Sequence, residues 1–411
     1  MRLLLGVIYL LMLPIYLSAQ SQVVEISLTG LNGYLQKNSL IASKLKNELK
    51  AEYFRKKSDL KWSNPELEME YEKLSHNGQT DREAVLLIKK NFTLPWVYWK
   101  KKKSWGHRLA AAELTYKSEY SRFIYEMKSD YVQIKILERQ LSTLKEIHQL
   151  LKSISEKSGE MHAAGTFSGM EQSLLQMALF NLDGTIVQLQ NFSRALKLDW
   201  KRRAGLTPET EVILTSSIGF PVPLPDSSKL LNLALKMNPE LQQMQHQINY
   251  LKARVNISGM SAVDAVTLGG GYKETGESFR GLVLSASLPL PILNKNGAEI
   301  QLAKLTRKQA ETDYLLHQQK VQNRVIQLYQ QVSGFEHTQE NLRLNRPHTP
   351  QTIDQIVSSY KEGWSTLNEM LSGIELYQSF LQSHLQLLQD YYHAIFELEY
   401  LTGTTLITEE D

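Results

Sequence analysis

The chain has 411 residues, 22% of them charged, and a formal net charge of +3. This length is enough for a large core or for two to three domains, and the small net charge does not indicate a nucleic-acid partner. The chain has no cysteine. This excludes disulfides, a thiol nucleophile, thiolate metal ligands and a lipid attached through an N-terminal Cys.

The N-terminus has the pattern of a secretory signal peptide. An apolar run from Leu3 to Leu17 follows Arg2 and leads into Ser18-Ala19-Gln20. Because the run is too short to span a bilayer, residues 1–20 are predicted to be a signal peptide, with a short membrane anchor as the alternative. The mature chain has no apolar stretch of 18 residues, so no helix is predicted to cross a membrane, although β-strands could do so.

The first half of the chain is predicted to span residues 21–205. A helical pattern runs from Val24 to about Leu60, and alternating residues then predict strands at about 64–74 and 85–98. A long helix follows to about Lys157, with a tip near residue 165 and a return helix in heptad steps. About fifty helical residues would extend roughly 80 Å, which is typical of a coiled coil.

The first predicted strand has two different faces. Leu67, Met69 and Tyr71 lie on one face, because alternate residues of a strand point the same way. The opposite face carries four carboxylates: Glu66, Glu68, Glu70 and Glu72. Carboxylates are costly against lipid, so these glutamates are predicted to face water. They either line the interior of a pore, where they would attract cations, or form a simple solvated face.

The second half repeats this order. Residues 206–228 contain four prolines and are predicted to be a linker. Residues 229–411 then form the second repeat, with strands at about 265–273 and 281–290, a long helix from about 297 to 344 and a tip near residue 363. Each half is therefore predicted to contain helix, strand, strand, long helix, tip and helix.

The two tips share a local pattern, in which Glu follows Gly by six residues and a hydroxyl residue lies between them. Gly165 precedes Glu171 in this way, and Gly363 precedes Glu369. Glycine can end a helix with φ > 0, and Ser365 or Thr366 could cap the next helix. The glutamates would then lie in a first turn, where the helix dipole favours a carboxylate.

The predicted strands are too few to seal a pore. Four strands of about ten residues are long enough to cross an outer membrane, but the smallest such barrels have about eight strands. An open edge in lipid would leave backbone groups unpaired at several kcal/mol each. Three chains would supply about twelve strands and collect the long helices into one cylinder, so a homotrimer is predicted.

Several of these features together resemble the TolC-like outer membrane efflux family. They are the duplicated tips, the helix starts at Asn38 and Asn238, the Gly-Tyr strand followed by Leu-Pro-Leu-Pro, and Leu401-Thr402-Gly403. The resemblance implies a mainly α fold with a small β part. A long α-helical coiled-coil barrel would extend through the periplasm, and four transmembrane β-strands per chain would complete a 12-stranded trimeric barrel in the outer membrane.

The resemblance also implies a function and partners. The homotrimer would be the passive exit duct of a tripartite pump, in contact with outer membrane lipid, a periplasmic adaptor and an inner membrane RND-type transporter. Asn64-Pro65-Glu66-Leu67 and Ser287-Leu288-Pro289-Leu290-Pro291 are most similar to the heavy-metal cation branch. Drug efflux and type I protein secretion remain alternative roles for such a duct.

The family's functional positions map to the tips. Glu369 matches an acidic ring position that narrows the pore, and the second acidic position is Ser372 here. Tyr360 and Glu171 match the partners of a hydrogen-bonded gate, whose usual Arg falls at Ser365, so half of that lock is absent. The positions that would dock the adaptor are Gly165, Thr166, Ser168, Gly363, Ser365 and Thr366.

No catalytic, cofactor or metal site is predicted from the sequence. The ten histidines are scattered. His337 and His348 have no ligand at a convincing spacing, and His148 lies on a heptad position typical of packing. No Ser-His-Asp order can be defended, so the chain is not predicted to be an enzyme. A periplasmic coiled-coil scaffold without a pore and an envelope hydrolase with a helical stalk remain as alternatives of other classes.

Overall fold

The computed structural model describes residues 23–76, 78–163, 168–219, 224–260, 263–276, 279–292, 296–344 and 349–407. The predicted signal peptide, residues 1–20, lies outside the described residues. The elements in order are β1 (Val23–Ile26), α1 (Leu31–Asn38), α2 (Leu40–Asp59), β2 (Glu66–His76), β3 (Gln79–Thr93), α3 (Pro95–Ala163), α4 (Gly169–Ala204), β4 (Glu211–Leu214), α5 (Ser227–Met237), α6 (Pro239–Ser258), β5 (Ala265–Thr275), β6 (Arg280–Ser287), α7 (Gly297–Leu344), α8 (Thr349–Lys361) and α9 (Leu367–Thr402).

The predicted fold class, mainly α with a small β part, is confirmed. The helix α3 alone has 69 residues, so it extends roughly 100 Å. The alternating pattern predicts a strand to about residue 98, but the strand β3 ends at Thr93. The helix α3 begins at Pro95, earlier than this pattern predicts. Proline has no N–H to donate to a strand ladder, but it fits the first turn of a helix. The amides of Val97 and Tyr98 accordingly donate to the carbonyl of Leu94.

Four strands form one antiparallel sheet in the order β2-β3-β5-β6. The strands β2, β5 and β6 overlap the predicted ranges and differ from them by a few residues at their ends. The strand β3 begins at Gln79 rather than at about residue 85, because it pairs along its length first with β2 and then with β5. This sheet joins the two halves of the chain.

Two short strands were not predicted. The strand β1 pairs in parallel with β4, with Val23 opposite Glu211 and Ile26 opposite Leu214. The helical pattern predicted from Val24 is wrong over residues 24–26, and the predicted linker at 206–228 contains the strand β4. A four-residue strand is too short to show a period, and its partner lies almost 190 residues away, so only the tertiary fold defines it.

Two apolar cores stabilise the helices. The central core is built around large, fully buried side chains, among them Trp200, Tyr131 and Phe396. The tip core lies between α3, α4, α8 and α9, close to the helical tips. Its buried members are Leu144, Ile147, Leu151, Ile154, Leu175, Leu182, Ile186, Ile353, Val357, Leu367, Met370 and Ile374.

A matching junction closes each half of the chain. Ser39 caps α2 and donates its hydroxyl to the carbonyl of Arg203 at 2.8 Å, two residues before Gly205 ends α4. Asn238 caps α6 and donates its amide to the carbonyl of Leu401 at 3.1 Å. That carbonyl lies two residues before Gly403, which ends α9. The equivalent of Asn238 is therefore Ser39, and not Asn38 as the sequence comparison suggested.

A half-buried carboxylate joins four helices beside the second junction. The Oε2 atom of Glu240 in α6 lies 2.9 Å from the Nε2 atom of His317 in α7. Tyr400 in α9 donates its hydroxyl to Oε1 at 2.6 Å, and Ser118 in α3 does so at 3.4 Å. The close imidazole of His317, followed by the hydrogen bonds from Tyr400 and Ser118, lowers the pKa of Glu240 to about 2, against the opposing effect of burial.

This depressed pKa predicts a loss of stability in acid. The stabilisation is present above the usual pKa of 4.5 and is lost as the pH falls from there towards 2. Since the carboxylate is partly exposed, the contribution after solvent screening is about 1 to 2 kcal/mol. Urea unfolding of the wild type and Glu240→Gln at pH 6 and pH 3 checks this. The two proteins should differ most at pH 6 and less at pH 3, and a difference that does not change with pH would contradict the assignment.

Candidate functional site

The four-stranded sheet has one exposed apolar face. The pairing register aligns Leu67 with Ile88 and Met69 with Leu86 across β2 and β3, and the rows continue through β5 to β6. The large exposed apolar side chains of this face are Leu67, Met69, Tyr71, Leu86, Ile88, Leu268, Tyr272, Leu282 and Leu284. A continuous apolar surface of this kind must be covered by an apolar environment.

The opposite face carries the four predicted glutamates. Glu66, Glu68, Glu70 and Glu72 are cross-strand partners of Lys89, Leu87, Val85 and Glu83 in that order. Glu68 also forms an ion pair of 2.5 Å with Lys89, and Glu83 forms one with Lys273 of β5. The structure thus places all four glutamates on one face, where Lys89 neutralises the charge of Glu68 and Lys273 that of the neighbouring Glu83.

Aromatic and basic residues gather where the sheet leads into α3. Trp62, Trp96 and Trp99 are exposed. The ammonium of Lys90 lies 5.6 Å from the ring centre of Trp62, and that of Lys102 lies 5.0 Å from the ring centre of Trp99. Exposed indoles beside cations are typical of the boundary between lipid tails and head groups.

The second tip is a tight turn between α8 and α9. Gly363 has a φ of +80°, and its amide donates to the carbonyl of Tyr360 at 3.0 Å. The amide of Trp364 donates to the carbonyl of Ser359 at 2.8 Å, which completes a Schellman motif. The indole of Trp364 is 82% exposed, so the turn presents a large apolar side chain at its outermost point.

Thr366, and not Ser365, caps α9. The Glu369 amide donates to the Thr366 hydroxyl at 3.3 Å, and the Thr366 amide donates to the Glu369 carboxylate at 2.7 Å. These hydrogen bonds, first the one from the backbone, lower the pKa of Glu369. The carboxylate is exposed and stays ionised at neutral pH. The cap that it supports is therefore also kept at neutral pH. Ser372 is also exposed, one turn further along α9.

The first tip has the same capping box. The amide of Ser168 donates to the carboxylate of Glu171 at 2.7 Å, and the amide of Glu171 donates to the hydroxyl of Ser168 at 3.2 Å. The pKa of Glu171 is lowered for the same reason as that of Glu369. The other predicted docking residues of this tip, Gly165 and Thr166, lie outside the described residues.

Tyr360 and Glu171 lie close enough for the charge of Glu171 to act on the phenol of Tyr360, although they belong to different halves of the chain. Burial of Tyr360 against the tip core raises the pKa of its phenol, and the nearby carboxylate of Glu171 raises it further. Ser365 is half-buried, and its hydroxyl has no hydrogen-bond partner. The charge of Glu171 thus acts on an aromatic hydroxyl of the other tip, and an unpaired hydroxyl, that of Ser365, lies beside the turn at Gly363.

The part of the chain that the structure describes contains no group of three or more His, Asp or Glu side chains placed to hold a metal ion. None of the described helices is long and apolar enough to cross a membrane. The predicted site residues that the structure describes lie in two places: the polar face of the sheet and the two tips.

Comparison with known proteins relates this arrangement to a class of proteins. Residues 230–404 match the family model described as outer membrane efflux protein. No curated protein matches the chain. This match over the second half of the chain confirms the predicted resemblance to the TolC-like outer membrane efflux family.

The fold is shared over nearly the whole chain with solved channels. The outer-membrane channel OprN is 14% identical with a TM-score of 0.77, over 92% of this chain and 90% of that one. CusC, studied for folding and transmembrane channel formation, is 13% identical with a TM-score of 0.72, over 92% of both chains. The Campylobacter jejuni CmeC outer membrane channel is 14% identical with a TM-score of 0.72, over 92% of this chain and 85% of that one.

Proposed function

We propose that the chain is one subunit of a homotrimeric outer membrane channel, which acts as the passive exit duct of a tripartite efflux pump. The observation that carries this proposal is the four-stranded sheet, which has an exposed apolar face and, within the described residues, unpaired edges at β2 and β6. In lipid both edges must be paired. If β6 of one subunit pairs with β2 of the next, three subunits close an antiparallel barrel of about twelve strands.

The apolar face then contacts outer membrane lipid, and the polar face lines the water-filled interior. The exposed indoles of Trp96 and Trp99 lie at the lipid boundary where the chain leaves the membrane for the periplasm. The pore-lining glutamates Glu66, Glu68, Glu70 and Glu72 give the interior an acidic band that favours cations. The protein acts as a duct and performs no catalytic step.

The tips are proposed to meet the other members of the pump. The helices extend roughly 100 Å from the sheet, which is long enough to reach deep into the periplasm. Ser168, Gly363 and Thr366 are exposed at the tip surface, and Ser365 is half-buried beside them. These residues, with Gly165 and Thr166, are proposed to dock a periplasmic adaptor above an inner membrane RND-type transporter.

The aperture is proposed to lie at the same tips. In a trimer, three copies of Glu369 would surround one axis, with Ser372 on the next turn and the Tyr360–Glu171 contact controlling the spacing of the coils. The resemblance of the segments beside the sheet favours heavy-metal cations as the substrate. Drug efflux and type I protein secretion are the alternatives, because a passive duct takes its selectivity largely from the transporter below it.

The channel proposal is tested with the purified mature protein. We expect a trimer that requires detergent, dissociates on heating and forms conducting pores in a planar bilayer. A water-soluble single subunit without conductance would instead support the periplasmic scaffold. Identification of the adaptor and transporter that co-purify after cross-linking in cells would decide among metal, drug and protein export.

The gating role of Glu369 gives a sharper prediction. Glu369→Gln retains the capping box, since glutamine serves at this position, but removes three negative charges from the proposed aperture. In bilayer recordings the variant should lose cation selectivity and sensitivity to block by divalent cations. Glu362→Gln is the matched control, because it removes an exposed carboxylate of the same tip outside the capping box. Equal recordings for both variants would contradict the gating role.

A further inference from the structure

Two histidines from different halves of the chain face each other between α3 and α6. The ring centres of His107 in α3 and His246 in α6 are 6.4 Å apart, with 42° between the ring planes. Both side chains are half-buried. No sequence pattern connects the two histidines, since 138 residues of chain separate them.

One ring nitrogen of the pair is left without a hydrogen bond. The Nδ1 atom of His246 is buried and has no hydrogen-bond partner, although buried ring nitrogens are normally paired. Burial lowers the pKa of His107, and the neighbouring His246 and Lys103 lower it further. The pair therefore combines an unsatisfied ring nitrogen of His246 with a second imidazole beside it.

We propose that His107 and His246 form a two-histidine site for a divalent transition-metal ion, with Cu²⁺ as the preferred ion. Imidazole nitrogen suits copper, nickel and zinc, and affinity among these ions is highest for Cu²⁺. Two imidazoles on one ion, with metal–nitrogen bonds of about 2 Å, have ring centres about 5 to 6 Å apart. The present separation of the two ring centres, 6.4 Å, is slightly longer than this.

Water completes the coordination, because the described residues offer no third His, Asp or Glu ligand in a group with these two.

Nearby cationic side chains affect the metal affinity of the site. Arg108 is paired with Glu52 at 3.0 Å, so its charge is largely compensated. Lys103 lies close enough to influence His107 and forms no ion pair among the described residues, so its charge weakens metal binding.

The position of the site gives it a structural consequence. The helix α3 follows the first pair of sheet strands, and α6 leads into the second pair. An ion held by His107 and His246 links these two helices near the sheet and favours the folded chain by mass action. The site does not depend on the proposed channel function, and its test involves no transport.

The test uses the full mature protein in detergent, purified without a histidine tag. Titration with Cu²⁺, followed by electron paramagnetic resonance, should show one ion per chain with the signature of two imidazole nitrogens. His107→Asn and His246→Asn should each reduce affinity by about tenfold or more and lose the two-nitrogen signature. Lys103→Gln should increase affinity. Cu²⁺ should raise the melting temperature of the wild type but not that of either histidine variant.

His148→Asn is the matched control. This histidine also lies half-buried on α3, but its Nε2 atom is paired with Asp183 at 3.0 Å. Its replacement should leave the two-nitrogen signature unchanged. Circular dichroism of each variant before the titration verifies that it is folded. The proposal is overturned if the wild type binds no Cu²⁺, or if folded His107→Asn and His246→Asn bind it as the wild type does.

Discussion

Replacement of Gly205 by alanine is expected to destabilise the protein by about 4 kcal/mol, one of the largest effects available to a single methyl group. Gly205 ends α4 with a φ of +81°, a conformation that disfavours every residue with a Cβ atom. A Cβ atom there would also lie 2.1 Å from the carbonyl oxygen of Asn38. Since both groups belong to the backbone, the junction between α4 and α2 must separate to accommodate it.

Gly363→Ala is the matched control for this prediction. Gly363 has nearly the same φ, +80°, but a Cβ atom there meets nothing within 4 Å. Its replacement should therefore cost only the backbone penalty of about 1 kcal/mol. Urea unfolding in detergent, followed by circular dichroism, measures both variants. Equal losses at the two positions would show that the close approach at Gly205 is not a constraint on the fold.

Asn238→Ala is expected to cost about 3 kcal/mol, because it leaves two buried backbone groups without partners. The side chain of Asn238 is fully buried. Its oxygen accepts from the amide of Leu241 at 3.0 Å, and its nitrogen donates to the carbonyl of Leu401 at 3.1 Å. One side chain thus caps α6 and holds the end of α9, so its loss should release both.

Two further variants separate these contributions. Asp226 caps α5 at the surface through the amide of Ser228 at 3.2 Å, and Asp226→Ala should cost about 1 kcal/mol as the loss of a cap alone. Ser39→Ala removes the equivalent junction of the first half, where the hydroxyl bonds to the carbonyl of Arg203. Hydrogen exchange should show faster opening at the end of α9 in Asn238→Ala and at the end of α4 in Ser39→Ala. If faster hydrogen exchange in Asn238→Ala were confined to α6, this would contradict the role of Asn238 in holding the end of α9.

The tips show how far local sequence patterns can be trusted. A glycine that ends one helix, a hydroxyl residue that caps the next and a glutamate in its first turn all act within seven residues. Their spacing therefore predicted a helical turn, and Gly363, Thr366 and Glu369 adopt it. Their proposed roles in docking and gating depend on neighbouring subunits, which a local pattern does not describe.

The sheet shows where such patterns fail. Alternation correctly separated the glutamates of β2 from Leu67, Met69 and Tyr71, because the two faces of a strand follow directly from its period of two. The same alternation continued past Thr93 into α3, since it cannot detect where the ladder partner ends. The start of β3 at Gln79 is likewise decided by its pairing with β2.

The sequence by itself thus determined the class of fold, the order of the main elements, the two faces of the first strand and the turn at Gly363, because each depends on residues close together in the chain. The tertiary structure alone decided the pairing of β1 with β4, the equivalence of Ser39 with Asn238, and the approach of His107 to His246. These contacts join residues more than a hundred positions apart. Their geometry is fixed by how whole helices pack, for which no local spacing carries information.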